Sequence, residues 1–80
     1  MKPQNYIKKQ FTDNVEKIKD YALQLKASGK YKDFETMLVW NCIREFVGSG
    51  TVCLWYKKYN CNDTYITMVG KKVLKDLSVI

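Results

Sequence analysis

Thr51-Val52-Cys53-Leu54-Trp55-Tyr56-Lys57-Lys58-Tyr59, Asn60-Cys61-Asn62-Asp63 and Thr64-Tyr65-Ile66-Thr67-Met68-Val69-Gly70 form the stretch whose reading decides the fold. Both outer runs are rich in β-branched and aromatic residues, and the segment between them holds Asn and Asp. The pattern predicts a β-hairpin with strands over 51–59 and 64–69. Gly70 then breaks the second strand. Residues 71–77 follow as a short helix with Val73, Leu74 and Leu77 on one side, and Ser78-Val79-Ile80 fits a third short strand.

Upstream the period changes. Ile7, Phe11, Val15, Ile18, Ala22 and Leu25 step by three or four, which places them on one face of a helix over 3–28. Pro3 suits its first position and Gly29 the residue past its end. Thr12, followed by Asp13 and Glu16, offers a second helix start, so a break near Thr12 is the alternative. Lys30-Tyr31-Lys32 connects to a second helix that is capped by Asp33 and runs over 34–47. Met37, Leu38, Val39 and Trp40 are consecutive there, so more than one face is apolar. The expected fold class is therefore α+β, one small domain over 1–80 in the order α-α-β-β-α. It has a long N-terminal helix, a central apolar helix and a C-terminal hairpin.

Eighty residues, 46% hydrophobic and 28% charged, are enough for one modest core and fit a folded chain. The first residues, Met1-Lys2-Pro3-Gln4-Asn5, lack an apolar secretory run, and no stretch approaches the ~18 apolar residues of a membrane span. The expected location is the cytoplasm, or a host's cytoplasm for a phage-encoded chain. Cys42, Cys53 and Cys61 are odd in number and form no C-x-x-C pair, so reduced thiols are expected. A Cys53–Cys61 disulfide across the hairpin is the alternative.

The charge is +6 and uneven. Residues 1–32 carry eight Lys against three acids, residues 33–50 one Arg against three, and residues 51–80 five Lys against two. On a continuous first helix Lys8, Lys19 and Lys26 fall within about 20° of one another, over a rise of about 27 Å. Lys9 and Lys17, each four residues from Asp13, read as its surface ion-pair partners. In a strand, Trp55, Lys57 and Tyr59 share one face while Tyr56 and Lys58 share the other. One face of the hairpin would then display rings and ammonium groups together, the pairing that stacks bases and holds phosphates. Lys71 and Lys72 extend the same charge. The competing readings are plain: lysines that solvate a helix face, and rings that staple a hairpin.

Thirteen Lys and a single Arg, Arg44, favour phosphate contact over base reading, since Arg supplies the planar two-pronged donor. The chain has no His, which removes the usual general base and the commonest metal ligand. Its acids are scattered, and its four glycines stand singly, leaving no phosphate-cradling loop. A ribonuclease working through Lys, Tyr and Asp stays compatible with the composition, but no enzyme, metal or cofactor is expected.

Residues 64–77, Thr-Tyr-Ile-Thr-Met-Val-Gly-Lys-Lys-Val-Leu-Lys-Asp-Leu, resemble the end of some winged-helix DNA-binding domains. There, a strand leads through a Gly into a short amphipathic helix, and the preceding turn is the wing. The resemblance implies a winged-helix variant as the alternative fold. The helix over 34–47 departs from that family, because it is apolar and acidic where a recognition helix is polar.

The functional expectation is a non-catalytic, basic nucleic-acid-binding accessory protein for RNA or DNA, of weak sequence specificity. The two Ala and the many Asn, Ile, Lys and Tyr fit the codon bias of an AT-rich phage or mobile element. Its contacts would be phosphates at Lys8, Lys19, Lys26, Lys57, Lys58, Lys71 and Lys72, with bases on Trp55, Tyr56 or Tyr59. The alternative is a protein-directed inhibitor or adaptor that blocks a host or defence enzyme. A homodimer burying the apolar surplus of the second helix is the third.

Overall fold

The computed structural model describes residues 2–29 and 32–80, so the first two residues of the connection Lys30-Tyr31-Lys32 lie outside the described residues. Pro3 opens α1 (Pro3–Asp13), where its missing N–H is one that the helix would leave unpaired anyway. The long helix breaks at Asn14, two residues beyond Thr12. The Asn14 side chain donates to the Gln10 carbonyl at 2.8 Å while its own carbonyl accepts from Ile18 N–H, starting α2 (Val15–Ser28). Asp33 caps α3 (Phe34–Cys42) by accepting from Thr36 N–H at 3.2 Å. Thr36, through its side chain and then its backbone, holds the Asp33 carboxyl below its ordinary value, with Lys71 adding a smaller pull.

α3 continues into a π-helical turn, Ile43–Val47, closed where Gly48 N–H donates to the Ile43 carbonyl at 3.0 Å. Gly48 sits at φ +91°, a conformation that side chains avoid, and redirects the chain into α4 (Ser49–Lys57). Asn60, in the left-handed region, turns the chain again, and Cys61 N–H donates to the Trp55 carbonyl at 2.9 Å. α5 (Asp63–Asp76) starts at Asn62, whose side chain accepts from Tyr65 N–H at 2.8 Å.

The α+β expectation is thus corrected: the described residues hold five α-helices and no strand. The winged-helix alternative falls with it, because residues 64–77 form neither strand nor wing. The expected turn at 60–63 is present, yet it joins helix to helix. The burial pattern gives the reason. Ile66, Val69, Val73 and Leu74 are buried together, a 3.6-residue period that alternation cannot produce. β-propensity is a weak preference, and this packing overrides it. Gly70 is no breaker either. A Cβ there would lie 2.7 Å from Val39 Cγ1, so the glycine lets α5 cross α3 at close range.

α3 is central, packed between α2 and α5, while α1 lies along α5. Ile7, Phe11, Ile18, Leu38, Ile66 and Leu74 form the heart of the core, together with Trp55. Cys42, Cys53 and Cys61 are free thiols, so the alternative Cys53–Cys61 disulfide is not formed. No helix among the described residues is long and apolar enough to cross a membrane.

Candidate nucleic-acid interface

The first acid in the chain is Asp13, and none occurs between Glu45 and Asp63. Residues 2–12, which hold α1 up to its last residue, and residues 46–62, which hold the whole of α4, therefore carry only positive charge: Lys2, Lys8, Lys9, Lys57 and Lys58. These two segments meet. Ile7 and Phe11 turn the apolar side of α1 into the core, which leaves Tyr6, Lys9 and Gln10, spaced by three and four, beside α4. With Thr51, Leu54, Trp55 and Tyr59 they line a groove of about 320 Å³.

At its centre the rings of Tyr6 and Tyr59 stack, with centroids 4.4 Å apart and planes 14° from parallel. The Tyr6 phenol beside it holds the Tyr59 phenol above its ordinary value. Lys58 Nζ stands 5.7 Å from the Tyr59 ring centroid, within reach of a cation–π contact. Lys57 and Lys58 occupy the carboxyl end of α4, where the helix dipole favours cations. Leu54 is 53% exposed at the same groove.

The other side of α1 is also lysine-bearing. Gln4, Asn5 and Lys8 face Lys72 and Asp76 of α5 across a smaller groove of about 120 Å³. Among the described residues no ion pair within 4 Å ties Lys8, Lys9, Lys57, Lys58 or Lys72 to a carboxylate. Apart from Lys58, which stands over the Tyr59 ring, these ammonium groups are thus left to solvent or to a ligand. The expected pairing of Lys9 and Lys17 with Asp13 does not form among the described residues.

Of the residues read from sequence, Tyr59, Lys58, Lys8 and Lys72 gather around α1, and Lys57 ends α4 next to Lys58. The others do not. Trp55 is 1% exposed and belongs to the core, so its ring has no face for a base. Tyr56 is exposed on the opposite flank of α4, and its hydroxyl donates to Asp63 Oδ1. That bond, the largest cause, with some burial and the Asp63 charge, pushes the Tyr56 phenol up to about 12. The break at Asn14 divides the lysine stripe. Lys19 and Lys26 line a separate groove against Phe34, Glu35 and residues 78–80, and Lys71 sits beside Asp63, Thr64 and Met68. Tyr6 and Lys9 join the site without having stood out in the sequence. The two acid-free segments were the available signal, but their meeting depends on the helical fold of residues 49–57.

The flank of α4 facing α3 differs. Trp40, Ile43, Val52, Cys53 and Tyr56 line an apolar groove of about 660 Å³, with Arg44 at its edge. Trp40 Nε1 donates to Thr67 Oγ1 at 2.9 Å, and Arg44 Nη2 donates to the buried Asn41 Oδ1 at 2.6 Å. No group of three or more metal-ligating side chains gathers among the described residues. No protein-family model matches the chain, and neither a curated protein nor a solved structure matches it.

Proposed function

We propose that this chain is a non-catalytic accessory protein that binds nucleic acid through its phosphate backbone. Its interface is the edge where α1 meets α4, extended across α1 to Lys8 and Lys72. One observation carries the proposal: two acid-free segments converge there, and their five lysines make no ion pair within 4 Å among the described residues. Phosphate contact releases condensed counterions, so a patch of unpaired lysines is the chemistry that binding of this kind requires. Lysines as point charges support weak sequence specificity.

Fluorescence anisotropy with labelled oligonucleotides across a salt series tests it. Affinity should fall steeply with log salt, and reversing Lys57 and Lys58 to Glu should weaken binding. An unchanged affinity in that variant would remove the site. A second reading, a protein-directed inhibitor or adaptor, is favoured by the apolar groove beside Trp40 and Tyr56. It expects tight binding to a protein target that survives high salt.

A further inference from the structure

We infer that the α1–α4 edge takes unpaired nucleotides, with Tyr6 and Tyr59 as the platform on which a base stacks. This rests on the proposal that the edge binds nucleic acid, and it names the strand class. Two observations and the geometry of a duplex carry it. The two rings come from different parts of the chain and lie nearly parallel at 4.4 Å; with Lys58 Nζ over the Tyr59 ring, an incoming flat ring would continue the stack from the half-buried Tyr6. In a duplex every base face is covered by its neighbours and only edges are presented; an unpaired base offers its face. Leu54 stands more than half exposed in the same groove. A duplex backbone has nothing apolar for it, while a splayed base does.

The charges agree with this. Lys58 lies against the Tyr59 ring and Lys9 lines the groove on the α1 side, which places cations beside the stack where a single strand's phosphates run. Arg44, the chain's one planar reader of guanine edges, lies on the other flank of α4. Base faces and phosphates are common to RNA and DNA, so both single strands fit.

The test measures anisotropy of oligothymidylate, oligouridylate and a duplex of equal length at low salt. The single strands should each bind at least roughly tenfold tighter than the duplex, the scale of one stacked base. Tyr6→Leu with Tyr59→Leu should abolish that difference, while Tyr6→Phe with Tyr59→Phe should keep it. A duplex bound as tightly as the single strands overturns the inference, as does a difference that survives the Leu pair. Should the Leu pair fail to fold by circular dichroism, ultraviolet crosslinking of the natural protein to an iodouracil oligonucleotide decides. Adducts on Tyr6 or Tyr59 are expected, and adducts confined to other residues overturn it. Equal binding that still depends on Lys57 and Lys58 removes the strand class alone. Absence of binding to every probe removes the phosphate interface with it.

Discussion

The flank of α4 that meets α1 and the flank that meets α3 share one short helix and one buried anchor, Trp55, yet they expose different chemistry. Toward α1 stand Leu54 and Tyr59, stacked tyrosines and lysines without an acid. Toward α3 stand Val52, Cys53 and Tyr56, with Trp40, Ile43 and the guanidinium of Arg44. The first flank can neutralise phosphates; the second can bury apolar surface. A chain of this size has a single core, and a helix at its edge serves two surfaces because successive residues point about 100° apart.

The comparison can be broken most severely at the shared anchor. Trp55→Ala should cost about 3–5 kcal/mol, a large part of the stability of a domain this small. Both flanks should fail together in urea unfolding. Loss of oligonucleotide binding in a variant of unaltered stability would show that Trp55 anchors neither.

Next comes Gly70, which supports the α3 side. The Gly70→Val variant would press into Val39, a buried and stiff neighbour, at a cost of about 1–3 kcal/mol. The Gly70→Ala variant should cost less. A lowered urea midpoint with faster alkylation of the buried Cys42 of α3 is expected; an unchanged midpoint would mean that α3 and α5 do not cross at this glycine.

A smaller effect is expected at Tyr56→Phe, which removes the bond to Asp63 near the apolar flank. The group is exposed, so the loss should stay below about 1 kcal/mol. Its sign with pH is fixed. The phenol is raised from 10.0 to about 12 in the fold, so the bond contributes in full below pH 10 and is lost as pH rises toward about 12. The stability difference between wild type and Tyr56→Phe should shrink across that window, and a difference that grows would contradict the pairing.

The least change is expected from Cys53. Burial pushes the Cys42 thiol up to about 12 and raises that of Cys61, whereas Cys53 is exposed. Maleimide should therefore label Cys53 alone in the folded protein, and the label should leave oligonucleotide affinity unchanged. A marked loss would place the ligand on the α3 side.

Much of the N-terminal half was legible, since Pro3, Gly29 and Asp33 punctuate helices whose apolar residues keep a 3.6-residue period. Residues 51–70 were not. Val52, Trp55 and Tyr59 step by three and four as a helix requires, but the same residues have the branched and aromatic side chains of a strand. Asn60, Asn62 and Asp63 serve either kind of connection. Gly70 misled most, because a glycine placed for close helix crossing looks the same in sequence as one that ends an element. For the interface, Lys57, Lys58 and Tyr59 were readable as charge and ring. The partner ring, Tyr6, lies far away in sequence and becomes a neighbour only through the fold. Trp55, read with Tyr56 and Tyr59 as a stacking group, went where a small core needs its largest side chain.

The most direct test of the interface is the salt dependence of single-strand binding, measured on the natural chain and on Lys9→Ala, Lys57→Ala, Lys58→Ala combined. The natural chain should bind at low salt with a steep negative log–log slope. The triple variant should bind more weakly, with a slope flatter by about two, at about 0.7 for each phosphate it no longer neutralises. An affinity and slope unchanged by the three substitutions, or no binding by the natural chain at low salt, would contradict a phosphate interface on this edge.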